Sequence, residues 1–208
     1  AHLHREVGAA LEDLCRGDEV AIAQSSPQLA RHCEEAGRVL EAVRYHLEAG
    51  RWAARLVANE EAIAHLERGL ALLQGTVASG PGPERLRLEL RLCMALGAPV
   101  MLQRGWQAPA GKRALERLSD LIQHPDLQDD PQRLTALTAL ALSAGWSADP
   151  ERSERVGRQL LDLACSEGSG EAREGDRQSL MLGHWALGFS HWLRGQPIPA
   201  REHLSHAL

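Results

Sequence analysis

Apolar residues recur at intervals of three and four along most of the chain, the spacing that places them on one face of an α-helix. Near the start, Leu3, Val7, Leu11 and Leu14 are separated by four, four and three residues. The pattern predicts about ten helices joined by short connections. The predicted boundaries include helices at 1–16, 27–36, 39–50, 51–58, 60–73 and 132–145, a long helix that Gly195 ends, and a last helix that Pro199 starts.

The segment 86–92 is ambiguous, because Leu86, Leu88, Leu90 and Leu92 alternate with charged residues. Alternation by itself is the pattern of a β-strand. Leu, Arg and Glu favour helix, however, and the strand formers Val, Ile and Thr do not occur in this run. We therefore predict a helix with leucines on two sides, which suits a helix that neighbours cover on both flanks.

A high content of Gly, Pro, Ser or Glu predicts loops at three places in the chain, residues 75–83, 103–111 and 166–176. The last of these loops is predicted to be mobile. Short connections between consecutive helices bring those helices together as antiparallel neighbours. The predicted fold class is therefore all-α, an α-solenoid or a related bundle.

Small and large side chains recur in a fixed order over residues 187–208. Small residues at Gly188 and Ala200 allow two helices to approach closely, and a leucine one turn later fills the remaining space. The residues that define this unit are Leu187, Gly188, Gly195, Ala200, Leu204 and Ala207. Two earlier segments follow the same order in part, one with Ala30, Gly37, Ala42 and Ala49, the other with Gly50, Ala62 and Leu66.

These units resemble the tetratricopeptide repeat, and the resemblance implies an α-solenoid of tetratricopeptide-like antiparallel helix pairs. The chain departs from that repeat at its large aromatic positions. Cys33, Ala53 and His191 stand at one of them, and His46 stands where a bulky apolar residue is expected.

The order of segments over residues 1–123 and 178–208 resembles the region that follows the signalling ATPase in large bacterial regulators. The runs that carry this likeness are 36–50, 59–70, 89–92, 96–98 and 104–106. Those proteins join an NTPase and tetratricopeptide-like repeats to a nucleotide cyclase, a protein kinase or a LuxR/MalT-type DNA-binding domain. By this resemblance, residues 1–26 are a linking helix before the repeats and residues 27–208 form the repeat domain.

Composition argues against nucleic acid and membranes as partners. The net charge is −5 and Lys112 is the only lysine, so the basic footprint of a nucleic-acid binder is missing. No apolar run is long enough to span a membrane, and the first residues lack the apolar core of a signal peptide. The four cysteines, Cys15, Cys33, Cys93 and Cys165, are far apart and contain no CxxC pair, which favours buried thiols in a cytoplasmic protein.

Motifs for catalysis or cofactor binding are not found. The segment 105–113 mimics a phosphate loop, but its glycines are one residue too far apart and Arg113 replaces the Ser or Thr that would hold Mg²⁺. The ten histidines include pairs at helical spacing, yet apart from Glu202 beside His203 none has a further ligand of the kind that zinc requires. The acidic pairs Glu34-Glu35 and Glu60-Glu61 are assigned to solvated helix faces. Trp185 and Trp192, seven residues apart, are assigned to the core.

The sequence therefore predicts a non-enzymatic module that needs no cofactor or metal and that binds a protein or peptide in the groove of a helix stack. By the resemblance, one candidate partner is the ATPase of the same chain. The alternative is a sensor that binds a small molecule inside the superhelix, with polar groups over an apolar floor. For either ligand, the candidate groove residues are His184, His191 and Arg194.

Overall fold

The computed structural model of the chain describes residues 2–75, 82–105, 107–166 and 174–207. Most of the predicted loops at 75–83 and 166–176, together with Trp106, lie outside the described residues. Within the described ranges the regular structure is helical, which confirms the all-α prediction. The helices are α1 (His2–Leu14), α2 (Glu19–Glu35), α3 (Val39–Arg55), α4 (Asn59–Gly75), α5 (Pro83–Arg104), α6 (Pro109–Leu121), α7 (Arg133–Trp146), α8 (Pro150–Ser166), α9 (Glu174–Leu193) and α10 (Pro197–His206), with a short 3₁₀ helix at Pro125–Leu127.

Helices α2, α3 and α4 follow one another at a constant step, starting at Glu19, Val39 and Asn59, and each is 17 residues long. In the connection before each of these helices, the residue two positions ahead of the helix start takes a left-handed backbone conformation, with φ of 87° at Gly17, 75° at Gly37 and 61° at Val57. Two such helices with their connections are longer than one tetratricopeptide repeat, which has roughly 34 residues in all.

The constant step also sets which residues are buried. Equivalent positions on α2, α3 and α4 carry apolar side chains that are at most 5% exposed: Ala23, Val43 and Ile63 in one row, and Cys33, Ala53 and Leu73 in another. Each helix therefore turns the same face toward its neighbours. This regular packing is what allows consecutive helices to stack in an α-solenoid-like arrangement.

The predicted start of the second helix at Pro27 is wrong. Helix α2 begins at Glu19, because the carboxylate of Asp18 accepts hydrogen bonds from the backbone N–H groups of Val20 and Ala21 and so caps the helix. Pro27 lies inside the helix, and the hydroxyl of Ser26 donates to the carbonyl of Ile22 at 2.7 Å instead of capping a new helix. The predicted boundary between residues 26 and 27 thus falls within α2.

The predicted helix end at Gly50, and the separate helix at 51–58, are also wrong. Helix α3 continues through Gly50 to Arg55. Gly50 faces α4, where a Cβ atom at this position would lie 2.6 Å from Cγ of Leu66 and 3.2 Å from the carbonyl oxygen of Ala62. This glycine therefore permits close approach of two helices and does not end one.

The leucine–arginine alternation forms a helix, as predicted. It lies in α5, where Leu86, Leu88, Leu90 and Leu92 are all at most 4% exposed. Leucines at every second position of a helix point to different sides of it. All four can be buried only if neighbours cover more than one of those sides. Helix α5 accordingly packs against both α3 and α4.

Contacts divide the chain into two compact units, residues 1–117 and 118–208. In the first unit each helix from α1 to α4 packs on the next, and α4 packs on α5. In the second unit α7 packs on α8 and α9, α8 packs on α9, and α9 packs on α10. Each unit therefore consists of helices packed as consecutive neighbours, which is the arrangement of an α-solenoid-like helical repeat.

The pair α9–α10 is a second copy of the pair α3–α4, with Gly188 at the position of Gly50. At Gly188 a Cβ atom would lie 2.7 Å from Cγ of Leu204 and 3.1 Å from the carbonyl oxygen of Ala200, nearly the distances found at Gly50. The turn residue Gly195, at the position of Val57, has φ of 70°. The two pairs therefore share their internal packing although they lie in different units.

The other repeat-defining residues lie where small or apolar side chains are needed. Ala30, Ala42, Ala49, Ala62 and Leu66 are at most 2% exposed, and Leu187 is 7% exposed. Gly37 and Gly195 occupy left-handed turns, and Ala207 is the residue that follows α10. The last helix starts at Pro197, two residues before the predicted start at Pro199.

The assignment of Trp192 to the core is wrong, since its side chain is 61% exposed. Trp185, Phe189 and Trp192 form a ladder along α9, with ring centroids 5.6 and 5.4 Å apart. The seven-residue spacing does place both tryptophans on one side of the helix. The end of that ladder lies on the surface, so Trp192 gains one ring contact and little burial.

Candidate functional site

A cleft of about 710 Å³ opens between α4, α5 and α6 in the first unit. Small and apolar side chains, together with one thiol, line part of it: Leu70, Ala71, Cys93, Leu96, Ala110 and Ala114. Polar side chains line the rest: Glu67, Gln74, Arg85, Glu89, Arg113 and Arg117. A cavity of this size that combines an apolar surface with a few polar groups is suited to hold part of a ligand.

Ion pairs fix three of the charged groups of the cleft, Glu67, Glu89 and Arg117. Arg117 donates two hydrogen bonds to the carboxylate of Glu89, at 2.6 and 2.9 Å, and the Glu89 side chain is only 12% exposed. At the rim, Arg104 lies 3.6 Å from Glu67 and 3.1 Å from Glu60. The two acids that line the cleft are therefore both neutralised by arginines.

Arg113 differs from these three groups. Its side chain is exposed, and it forms no ion pair with any residue that the structure describes. An arginine without a carboxylate partner keeps its five N–H donors for a ligand. Arg113 is thus an accessible cationic group beside a wall of small side chains.

Cys93 is the one lining residue with nucleophilic chemistry. Burial, and to a smaller extent the charge of Glu89, raises the pKa of its thiol to about 12. The thiolate, which is the reactive form of cysteine, is therefore hardly populated near neutral pH. Cys93 contributes apolar surface to the cleft.

A second polar feature of the first unit is a chain of side chains across α2, α3 and α4. Glu34 accepts hydrogen bonds from Arg68, through Nε at 2.9 Å, and contacts Nε2 of His46 at 2.7 Å. His46 in turn lies 3.1 Å from His65, measured between their Nδ1 atoms. This Glu34 network satisfies the polar atoms of His46, which is 6% exposed at a position where sequence predicted a bulky apolar residue.

The assignment of Glu34 to a solvated face is therefore wrong, because its side chain is only 18% exposed and has two partners. Burial of the carboxyl opposes ionisation, but the hydrogen bonds and charges of Arg68 and His46 together outweigh it and lower the pKa of Glu34. Burial, together with the charge of His46, lowers the pKa of His65. Glu60 and Glu61, by contrast, are exposed as predicted.

The second unit brings together four histidines on α9 and α10. His184 lies 3.0 Å from His203 between their Nδ1 atoms, and its ring centroid is 5.0 Å from that of His206. The ring of His191 stacks on that of His203, with centroids 5.6 Å apart. His184 and His203 stand at the repeat positions of His46 and His65, so the two histidine contacts are copies of each other.

The three predicted groove residues are only partly brought together. His184 and His191 both contact His203, whereas Arg194 pairs with Glu154 on α8. The hydrogen bond from Arg194 is the main cause that lowers the pKa of Glu154. Arg194 and Glu154 line a separate cleft of about 470 Å³ with other charged residues of α8. Arg194 thus belongs to a different surface feature from the two histidines.

We expect acid to destabilise the second unit through His184 and His203. Burial first, and then the neighbouring histidines, lower the pKa of both side chains below the ordinary 6.5. The unfolded chain therefore takes up protons before the folded chain does, and stability falls as the pH falls below about 6.5. Replacing His203 by glutamine should make the loss of unfolding free energy between about pH 7 and pH 5 smaller.

Urea unfolding of the wild type and of His203→Gln at several pH values checks this expectation. The charge of Glu202 raises the pKa of His203 and so opposes the effect. Glu202 is therefore kept in both chains. A pH dependence in the variant that equals or exceeds that of the wild type would contradict it.

Comparison of the chain with protein-family models, with curated proteins and with solved structures found no match. Among the described residues, no group of three or more His, Cys, Asp or Glu side chains is placed so that it could hold a metal ion. Within the same ranges, no helix combines the length and the apolar character needed to cross a bilayer.

Sequence reasoning did not find the cleft between α4, α5 and α6. Its lining residues extend from Glu67 to Arg117, and no local motif connects them. A signal was present for the histidines, because His46 and His65, like His184 and His203, are 19 residues apart. That equal spacing, combined with the repeat, would have indicated a contact in each pair.

Proposed function

We propose that this chain is a non-catalytic interaction module, and that the cleft between α4, α5 and α6 holds a segment of a partner protein. The observation that carries the proposal is the composition of the cleft, a wall of small and apolar side chains next to Arg113 and two neutralised acids. A peptide can place apolar side chains against Ala71 and Ala114 and a carboxylate or carbonyl oxygen against Arg113.

Support for binding rather than catalysis comes from the state of the polar groups in the cleft. Glu89 is held by Arg117 in a two-bonded ion pair, and the thiol of Cys93 stays protonated. A general base or nucleophile must instead be positioned to exchange a proton or to attack. The state of Glu89 and Cys93 therefore supports binding over catalysis.

The same proposal places the module in the cytoplasm, within a multidomain bacterial signalling protein. Three cysteines, Cys15, Cys33 and Cys93, are buried and unpaired, which suits a reducing compartment. The resemblance to the repeats of ATPase-containing regulators supports the signalling context and makes the ATPase domain of the same chain a candidate partner.

A small-molecule effector is the second candidate ligand. The volume of about 710 Å³ lies inside the range of pockets that bind small molecules. Polar groups beside an apolar surface are also the arrangement expected for a sensor. In that case the effector, and not a peptide, would occupy the space next to Arg113.

Replacing Ala71 by tryptophan tests the proposal, because this exposed residue of α4 lines the cleft and a large side chain there would fill it. Peptides selected from a randomised library on the wild-type chain should bind Ala71→Trp at least about tenfold more weakly. The matched control is Ala64→Trp, an exposed alanine two turns earlier on α4 that does not line the cleft. Isothermal titration calorimetry measures each affinity.

Equal affinity of both variants for the selected peptides would contradict the proposed site. A metabolite panel screened by thermal shift is the second arm, since a ligand that binds only the folded state raises the unfolding temperature. A rise of several degrees with one metabolite, lost in Ala71→Trp and kept in Ala64→Trp, would replace the peptide by an effector at the same site.

A further inference from the structure

Helices α5 and α6 run antiparallel along the cleft. Glu89 of α5 is paired with Arg117 of α6. Further along α5, Cγ1 of Val100 lies 3.3 Å from the position that a Cβ atom on Gly111 of α6 would occupy. Residue numbers thus rise along one helix as they fall along the other. The ion pair therefore lies at one end of the cleft, and Ala110, in the first turn of α6, lies at the other.

The side of α6 that faces the cleft alternates small and basic side chains. The residues of this helix that line the cleft share one helical face: Ala110, Arg113, Ala114 and Arg117. Arg117 is occupied by its two hydrogen bonds to Glu89. Arg113 lies about one turn nearer to the start of the helix and has no carboxylate partner among the described residues. Arg113 is therefore a cationic group placed between small side chains.

The charge of the cleft is opposite in sign to that of the chain. The chain carries a net charge of −5, yet within the part that the structure describes three arginines line the cleft against two glutamates. At the rim, Arg104 is matched by Glu60, so the excess of arginine remains. Residues 76–81, which join α4 to α5, contain no acid that could offset it. The cleft is thus electrostatically complementary to an acidic ligand.

We infer, on the basis of the proposed function, that the segment held in the cleft is acidic: an Asp or Glu side chain binds Arg113, and a neighbouring apolar side chain packs on Leu70 and Ala71 across the cleft. A guanidinium group binds a carboxylate through two parallel N–H···O hydrogen bonds, which a neutral amide cannot match. A basic side chain finds no equal site, because Glu67 and Glu89 already have arginine partners.

Three pools of short peptides, randomised except for a central Glu, Gln or Arg, serve as the probes. The immobilised full chain should retain the central-Glu pool at least about fivefold more than the central-Gln or central-Arg pool, because only the first supplies a carboxylate at the fixed position. Added salt should reduce this preference, since an exposed pair of charges is screened. Retention is measured by quantifying the eluted peptides.

Arg113→Glu reverses the charge at the proposed contact and should reverse the preference, so that the central-Arg pool is retained most. The matched control is Lys112→Glu. Lys112 is the neighbouring exposed residue of α6 and does not line the cleft, so this variant changes the net charge equally without touching the contact. Lys112→Glu should keep the preference for the central-Glu pool. Circular dichroism establishes that both variants are folded.

Ala71→Trp separates the two proposals. Pools that this variant no longer retains, but that bind the wild type equally with central Glu and central Gln, would overturn the acidic segment and leave the cleft as the site. Pools that Ala71→Trp retains like the wild type would overturn both. Equal loss of preference in Lys112→Glu and Arg113→Glu would also overturn the contact at Arg113. A rise in unfolding temperature with free succinate, absent in Arg113→Glu and without retention of any pool, would overturn a peptide as the source of the carboxylate.

Discussion

Replacing Gly50 by alanine is expected to lower the free energy of unfolding by about 2 kcal/mol, because the added methyl group overpacks a filled interface. The Cβ atom would lie 2.6 Å from Cγ of Leu66, a branched atom near the backbone, and 3.2 Å from the carbonyl oxygen of Ala62. The carbonyl oxygen can move only if the backbone of α4 shifts, and Cγ can move only if the fully buried Leu66 changes its side-chain rotamer. Chemical denaturation followed by circular dichroism measures the change.

Gly97→Ala is the control for this substitution. Gly97 also lies inside a helix, α5, but a Cβ atom there would meet nothing within 4 Å beyond its chain neighbours and the backbone of its own helix. Alanine is the better helix former by about 1 kcal/mol, so this variant should be more stable than the wild type. The same methyl group is thus expected to have opposite effects at the two positions. Stabilisation by Gly50→Ala would show that α3 and α4 do not approach as described.

Replacing Arg117 by alanine should cost about 3 kcal/mol of unfolding free energy, since it leaves the carboxylate of Glu89 without its ion-pair partner. The Glu89 side chain is 12% exposed, so water can solvate its charge only in part. Removing one member of such a pair is costly because the remaining charge is left uncompensated. Urea denaturation of the variant gives the value.

Two comparisons separate this effect from a general loss of side-chain contacts. Arg44 pairs with Glu84 where both side chains are about half exposed, so Arg44→Ala should cost less than about 1 kcal/mol. In a chain that already carries Glu89→Gln, Arg117→Ala should cost much less than in the wild type, since no charge is left behind. Equal costs in both backgrounds would contradict the assigned role of the ion pair.

The helices could be predicted from sequence because their apolar stripes are long, and even the alternating leucines of α5 gave the correct element. The two kinds of glycine could not be distinguished in the same way. Gly37 ends a helix in a left-handed turn, whereas Gly50 lies inside one and makes room for Leu66. Local sequence is similar at both sites, and only the partner helix decides which role applies.

The repeat itself indicates the role of Gly50. Sequence assigns Gly188 to close helix packing and Gly50 to a helix end, although they are equivalent residues of the two copies. The start of α2 is mispredicted for a different reason. The capping carboxylate of Asp18 and a serine–proline pair are both candidate helix starts, and the actual cap lies more than two turns before Pro27.

The candidate site could be predicted only in small part, because it depends on contacts between distant segments. Glu34 meets His46 and Arg68, which are 12 and 34 residues further along the chain. His184 and His191 both contact His203 because α9 packs on α10. The positions of the histidines in the sequence do not by themselves show which of them meet. The fold class could be derived from periodicity, whereas the cleft required the packed helices.

The most direct test of the interaction-module proposal is the affinity of selected peptides for the chain whose cleft is filled at residue 71. We expect Ala71→Trp to lose at least about tenfold in affinity while Ala64→Trp, on the same helix, keeps the wild-type value. If both chains bind the peptides equally well, the space between α4, α5 and α6 is not where a partner is held.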